Sequence, residues 1–128
     1  MIFDASKTAI QIRDCYEQVD AYFSPKVVGR INDVLVKIAK IKGEDIPWHS
    51  HEMEDELFYI VKGELFFESR KHGSFTMNEG KLFIVEKGIE HRVSAKEECW
   101  IMLIEKDSTK HTGEVDSKIT RSLDEQMR

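Results

Sequence analysis

Two histidines and a glutamate form the part of this sequence with the clearest capacity for chemistry. His49 and His51 are separated by one residue, so both imidazoles project to the same face if the backbone there is extended. Glu56 follows at the start of an apolar run, where a carboxylate facing the same interior completes a cluster of nitrogen and oxygen ligands. Such a cluster suits zinc, iron, manganese or nickel better than calcium, which prefers oxygen ligands alone. The three residues therefore predict a site for a divalent transition metal.

These residues lie in a segment bounded by two glycines, GEDIPWHSHEMEDELFYIVKG. The glycines are expected at the two ends of one hairpin. The spacing of Gly43, His49, His51, Glu56 and Gly63 matches every position of the first cupin motif. The segment therefore resembles the cupins far more specifically than an isolated His-x-His pair would.

A second segment, GKLFIVEKGIEHRVSA, resembles the second cupin motif. Gly80, Gly88 and His91 match that motif. Glu86 stands where the family usually has proline, and Ala95 where it often has asparagine. Losing the proline removes a preset φ angle from a turn, but it removes no metal ligand.

The resemblance implies which residues bind the metal. It assigns the ion to His49, His51, Glu56 and His91, with His91 as the fourth ligand. The segment FSPKVVG, which starts at Phe23, and the phrase DELF look like those of small single-domain cupins. The implied fold is all-β, a double-stranded β-helix or jelly-roll barrel with a short N-terminal helical or irregular segment. In such a barrel the two motifs form neighbouring hairpins.

The periodicity of the chain predicts the elements that position these residues. Apolar positions at 9–23 recur at intervals of three and four residues, which is typical of a helix. Pro25 follows and disfavours helical conformation at the residue before it. At 34–39 apolar residues alternate with period two, as in a half-buried strand. The predicted strand 81–85 is apolar from Leu82 to Val85, as in a strand covered on both faces. The other predicted extended segments are 48–51, 56–61, 64–68, 75–77, 91–94 and 99–105.

Length and pattern indicate a single domain over residues 1–128. Its core is expected at about 26–106. An N-terminal arm at 1–25 precedes the core, and a polar tail at 107–128 follows it.

Apolar surface outside the barrel predicts a homodimer. Ile119, Leu123 and Met127 recur at four-residue intervals in the tail, which predicts a short docking helix. Together with the strand at 34–39 and the segment 12–23, they carry more apolar surface than one small barrel covers. Related cupins commonly pair, so we expect two copies to associate.

Composition excludes several other classes of partner. The chain has 24 acidic and 19 basic residues and a formal net charge of −5, whereas a nucleic-acid surface needs a clustered basic stripe. Neither a signal peptide nor a long apolar run is visible, so no membrane partner is expected. Cys15 and Cys99 lie far apart without C-x-x-C spacing, which is typical of reduced thiols. We therefore expect a cytoplasmic protein.

The predicted ligand set leaves coordination positions on the metal unfilled. Four protein ligands on an ion that prefers six leave two positions for water, dioxygen or a chelating molecule. Three neutral imidazoles and one carboxylate leave a divalent ion with a net charge of about +1, which favours small anionic ligands. Phe58, Ile60 and Val93 are expected to face the site, so the pocket should be largely apolar.

Two classes of function are compatible with such a site. The first is a metal-dependent enzyme of oxygenase or isomerase type that acts on a small anionic molecule, with Glu54 or Tyr59 as an additional acid or base. The second is a non-catalytic binding or sensing module in which the metal anchors a ligand. An isomerase for sugar phosphates needs basic groups near the metal, so Lys62, Lys87 or Arg92 would have to reach in from the rims.

Overall fold

Seven strands and two short helices form the described part of the chain, residues 8–109 and 122–127 of a computed structural model. Helix α1 spans Ile12–Cys15 and continues as a 3-10 turn at Tyr16–Gln18, and helix α2 spans Leu123–Met127. The strands are β1 (Lys26–Ile31), β2 (Val34–Gly43), β3 (Glu56–Lys62), β4 (Glu64–Ser69), β5 (Gly73–Asn78), β6 (Leu82–Val85) and β7 (His91–Lys106).

The strands form two antiparallel sheets that share β7. One sheet has the order β1-β2-β7-β3-β6, and in the other β5 pairs with β4 and β4 pairs with β7. The first part of β7, residues 91–94, bonds to β4. The later part, residues 99–106, lies between β2 and β3. Because one strand belongs to both sheets, the sheets enclose a common interior, and the predicted all-β jelly-roll barrel is confirmed.

Strand β2 is covered on both faces, whereas its alternation predicted a half-buried strand. Ala39 and Ile41 face the barrel core. Ile38 points to the opposite face and is fully buried as well, because α1 and the 3-10 turn pack over it. The Tyr16 hydroxyl donates a hydrogen bond to the Ile101 carbonyl, which fixes this N-terminal segment to the barrel.

The helix predicted over 9–23 is much shorter than expected. Only the segment 12–18 is helical, and the chain then passes through a bend and a turn before β1. The Phe23 N–H donates to the Lys40 carbonyl at 2.9 Å, and Tyr22 forms a parallel bridge with Lys40. Pairing with β2 therefore replaces the hydrogen bonds of the last predicted helical turns.

The strands predicted at 91–94 and 99–105 are one continuous strand, β7. Lys96 and Glu97, which lie between the two predicted segments, are exposed residues within the strand. Residues 48–51, predicted as extended, contain no strand and make a single bridge between His49 and His91. Loop hydrogen bonds rather than a ladder fix this segment.

The prediction that 81–85 is covered on both faces is wrong. Leu82 and Ile84 are 57% and 51% exposed, whereas Val85 is buried. The reason is position, because β6 is the last strand of its sheet and its outward face has no covering layer among the described residues.

The polar tail is described only in part. Leu123 and Met127 belong to α2, which lies beside β1 through a hydrogen bond from Lys26 Nζ to the Glu125 carbonyl at 3.5 Å. Ile119, the first residue of the predicted docking helix, lies outside the described residues.

Candidate metal centre

Strand ends and loop hydrogen bonds bring the four predicted ligands together. Glu56 is the first residue of β3, and His91 is the first residue of β7. His49 lies in the irregular segment between β2 and β3, where its backbone exchanges hydrogen bonds of 3.0 and 2.9 Å with His91. The Gly88 N–H donates to the His51 carbonyl at 2.8 Å. The turn that carries Gly88 thus forms without the proline of the second motif.

The ligand atoms are spaced as if around a common ion. Glu56 Oε1 lies 3.4 Å from His51 Nε2 and 3.5 Å from His91 Nε2. One ring nitrogen each from His49, His51 and His91 lie within 4.8 Å of one another. Two atoms that bind the same ion at about 2.1 Å are separated by about 3.0–3.4 Å. The three histidines could therefore hold a metal ion, and Glu56 lies beside them.

Backbone carbonyls fix the tautomers of two of these histidines. His49 Nδ1 lies 2.8 Å from the Pro47 carbonyl, and His91 Nδ1 lies 2.9 Å from the Ile89 carbonyl. A carbonyl oxygen can only accept, so each Nδ1 must carry the proton. Each Nε2 is then left with a free lone pair, as in histidines that bind metals through Nε2.

Several buried polar atoms at this point are unsatisfied by the protein. His49, His51, Glu56 and His91 are at most 6% exposed. His51 Nε2, Glu56 Oε1 and His91 Nε2 have no hydrogen-bond partner within the described ranges. Each buried polar atom without a partner costs about 1–3 kcal/mol, so three that converge on one point need a common partner. A divalent transition metal fits this nitrogen and oxygen donor set.

Electrostatics favour the protonation states that bind metal at His49 and Glu56. At His51, burial lowers the pKa, but the hydrogen bond and the charge of Glu56 outweigh burial and raise it. Burial lowers the pKa of His49 to about 4, with a smaller contribution from His91, so His49 is neutral near pH 7. Burial alone would raise the pKa of Glu56, but interactions with Glu105, His51 and His91 outweigh it and hold the pKa well below its usual range. A neutral imidazole and an ionised carboxylate are the forms that coordinate.

Sequence reasoning missed two charged residues behind Glu56. Lys37 Nζ lies 2.8 Å from Glu105 Oε1, and both side chains are almost fully buried. Glu105 is the direct cross-strand partner of Glu56, and its carboxylate lies within 4.8 Å of ligand atoms of Glu56 and His51. Burial and the neighbouring Glu56 charge raise the pKa of Glu105 well above its usual range, against the effect of Lys37. A chain of contacts between titratable groups thus runs from Lys37 on β2 through Glu105 on β7 to the candidate ligand Glu56 on β3.

A small cavity lies in front of the cluster. It has a volume of about 30 Å³, and its lining includes His49, Glu56 and His91. The predicted apolar residues Phe58 and Val93 belong to this lining. The remaining lining residues are Phe23, Pro25, Ala39, Ile41, Ile46, Ile101 and Leu103. The cavity therefore combines three candidate metal ligands with walls that are otherwise apolar.

The basic residues predicted to reach in from the rims do not line this cavity. Lys62 Nζ stands 4.5 Å from the centre of the Trp100 ring. Arg92 is paired with Glu68 at 2.6 Å, and Lys87 is exposed. The described structure thus offers no cationic side chain at the cavity wall for a phosphate group.

The two additional acid–base candidates also lie elsewhere. Tyr59 packs with the outer cluster, on the face of β3 opposite the cavity. Glu54 lines a surface groove and accepts a hydrogen bond from Ser108 at 3.3 Å. Neither residue is part of the cavity lining.

Comparison with known proteins agrees with the fold and with the two motifs. A family model described as "Cupin domain" matches residues 38–104, slightly more than half of the chain. A cupin-2 domain containing protein from Shewanella frigidimarina NCIMB 400 is 34% identical, with a TM-score of 0.74 over 80% of this chain and 99% of that chain. The chain belongs to the cupin family, as its motifs predicted.

Two further relatives extend the comparison. Protein NMB1881 from Neisseria meningitidis is 25% identical, with a TM-score of 0.70 over 77% of this chain and 99% of that chain. The uncharacterized protein YdbB of Bacillus subtilis (strain 168) is 31% identical over 65 residues. That match covers 51% of this chain and 57% of YdbB. In the part of the chain that the structure describes, no helix is long and apolar enough to span a membrane.

Proposed function

We propose that this cupin is a metal-dependent enzyme of oxygenase or isomerase type that acts on a small anionic molecule. The metal is a divalent iron, manganese, nickel or zinc ion, held by His49, His51, Glu56 and His91. The observation that carries the proposal is the set of buried, unpartnered donor atoms on His51, Glu56 and His91. A closed structural site would have no adjoining space, whereas this cluster opens on a cavity.

The chain's own residues supply binding and orientation. Carbonyl groups of Pro47 and Ile89 hold two imidazoles with Nε2 free for coordination. Phe58 and Val93 keep bulk water away from the ligand atoms, which strengthens electrostatic attraction for an anion. When bound, the ion supplies Lewis acidity and open positions for an anion or dioxygen.

Within this class, oxygen chemistry is favoured over isomerisation. An isomerase moves a proton within its substrate and needs a positioned acid or base besides the metal ligands. Tyr59 and Glu54 lie outside the cavity lining, and no lysine or arginine belongs to it. Dioxygen chemistry at a metal requires an open position and a dry pocket, and the mostly apolar cavity beside the candidate ligands supports this interpretation.

The same lining supports one alternative, a non-catalytic binding or sensing module. Without an acid or base at the cavity wall, the site can anchor an anionic ligand and still perform no proton transfer. The ligand class is the same in both cases, because it follows from the charge of about +1 on the ion with its four ligands.

Binding and turnover separate these possibilities. Protein loaded with Fe(II), Mn(II) or Ni(II) should be stabilised by small carboxylic acids, measured as a rise in Tm, and the Fe(II) form should consume dioxygen with one of them. Binding by all metal forms without oxygen uptake or isomerisation would select the binding module. No stabilisation by any anion, with metal present, would contradict both.

We also propose a cytoplasmic homodimer. The free thiols Cys15 and Cys99 are both buried, which suits a reducing compartment. Leu82 and Ile84 leave apolar surface at the β6 edge, which a second copy of the chain would cover.

A further inference from the structure

Phe23 lines the cavity in front of the candidate ligands. Its side chain is 2% exposed and shares the cavity lining with His49 and His91. It is not part of a strand, but its N–H donates to the Lys40 carbonyl at 2.9 Å, which anchors it to β2. Pro25 lies beside it in the same lining and fixes the chain direction into β1.

The backbone of Phe23 is strained. Its φ angle is +55°, in the left-handed region that glycine prefers and that costs other residues on the order of 1–2 kcal/mol. Asn32 has a similar φ angle of +54°, but asparagine tolerates this region far better than an aromatic residue does. A phenylalanine at a position suited to glycine indicates that its side chain contributes something that the turn itself does not require.

The volume of the cavity indicates what the side chain does. About 30 Å³ holds roughly two or three water-sized atoms, since about 10–15 Å³ is needed for each. A carboxylic acid of three or four carbons does not fit beside the histidines while Phe23 is in place. Removing the phenyl ring would join its volume to the cavity.

We propose that Phe23 determines the size of ligand that the metal centre accepts. With Phe23 in place, ligands of two or three heavy atoms enter, such as dioxygen, azide or formate. Larger acids are excluded by the ring. This inference rests on the proposed metal centre and narrows its ligand class.

Phe23→Gly is the sharpest test, because glycine keeps the left-handed backbone while removing the ring. With Ni(II)-loaded protein, azide and formate should raise the Tm of parent and variant alike. Malonate and succinate should bind the variant at least tenfold more tightly than the parent. Phe23→Leu should bind malonate and succinate with an affinity between those of the parent and Phe23→Gly. Leu65→Ala, which changes a buried core residue outside the cavity lining, should leave the preference of the parent unchanged.

A metal-free measurement separates this inference from the proposed function. If the ring fills space in front of the histidines, the metal-free Phe23→Gly variant should bind benzene, seen as a Tm increase that the parent lacks. Failure of the parent to bind metal would contradict the proposed function and leave this result intact. Equal affinity of parent and Phe23→Gly for succinate, or no benzene binding by the variant, would overturn the role of Phe23. Phe23→Leu supplies the same comparison, with a smaller expected effect, if the glycine variant does not fold.

Discussion

Lys37 occupies an interior position of β2, where an ammonium group without a partner would lose several kcal/mol of solvation. Its partner Glu105 faces Glu56 across the ladder between β7 and β3. A carboxylate that binds metal is usually held by hydrogen-bonded neighbours, and these two residues are the charged groups behind Glu56. We therefore interpret Lys37 and Glu105 as positioning residues for Glu56.

Removing one member of this pair should destabilise the protein strongly. Lys37→Met or Glu105→Leu leaves the other group buried without its partner, which costs about 3–5 kcal/mol. The double variant Lys37→Met/Glu105→Leu should cost clearly less than the sum of the single variants. The measurement is the free energy of unfolding in urea with a chelator present.

Metal affinity distinguishes positioning from stability alone. Glu105→Gln should lower metal affinity by on the order of 10–100-fold, because the orientation of Glu56 is loosened. Lys106 pairs with Asp33 at the surface at 3.8 Å, so Lys106→Met should change the free energy of unfolding by less than about 0.5 kcal/mol. The positioning role is refuted if Glu105→Gln binds metal as tightly as the parent does.

The sequence predicted that His49, His51, Glu56 and His91 lie together, because spacing within a motif is a local signal. The structure brings the four side chains together. Lys37 and Glu105 carry a weaker signal, because each is a charge among apolar residues of a strand whose alternation predicts one buried and one exposed face. That alternation does not reveal which face of a strand is buried when both faces are covered. The role of Phe23 depends on its φ angle and on contacts with distant strands, which spacing does not encode.

Among the elements, the β3–β4 hairpin depends on close approach of its turn to β7. Gly63 has a φ angle of +85°, and a Cβ atom there would lie 2.9 Å from the Glu98 carbonyl oxygen. Gly73, in the β4–β5 turn, has a φ angle of +78° with no atom within 4 Å of such a Cβ. The two glycines share the backbone conformation and differ in available space.

Alanine substitution should separate the cost of backbone strain from the cost of a steric clash. Gly73→Ala should lower the free energy of unfolding by about 1–2 kcal/mol through backbone strain alone. Gly63→Ala should lower it by about 2–4 kcal/mol, because a steric clash with backbone is added. Chemical denaturation of both variants provides the measurement. Equal losses would mean that the close approach to Glu98 contributes nothing.

Strands were easier to predict than the N-terminal segment for a physical reason. Period-two patterns and turn glycines are local, so β3, β4 and β5 were placed within two residues of their ends. The spacing of apolar residues at 9–23 fits a helix, but Cys15, Tyr16 and Val19 pack over the outer face of a sheet. Tertiary pairing with β2 overrides local helix propensity there.

For the whole molecule, the outward face of the larger sheet carries an apolar row across four strands. Val36 is aligned with Ile104, Ile104 with Leu57, and Leu57 with Ile84. The N-terminal segment packs over the Val36 end of this row, and Ile84 at the β6 edge is 51% exposed. This exposed end is where we expect the second copy to bind.

Disrupting that surface should produce monomers. Ile84→Lys should shift the mass measured by light scattering at micromolar concentration from dimer to monomer, because an ammonium group would be buried in the interface. Ile31→Lys is the matched control, since Ile31 is 62% exposed on β1, at the opposite edge of the same sheet. A parent protein that is monomeric across the concentration range would contradict the dimer.

The metal content of the purified protein tests the central claim most directly. After loading and dialysis against a weak chelator, elemental analysis should give about one divalent transition metal ion per chain. His49→Ala and His91→Ala should lose most of it. His72→Ala should retain it, because His72 is exposed and packs against Phe83 instead. Unchanged metal content in His91→Ala, or none in the parent, would contradict the account.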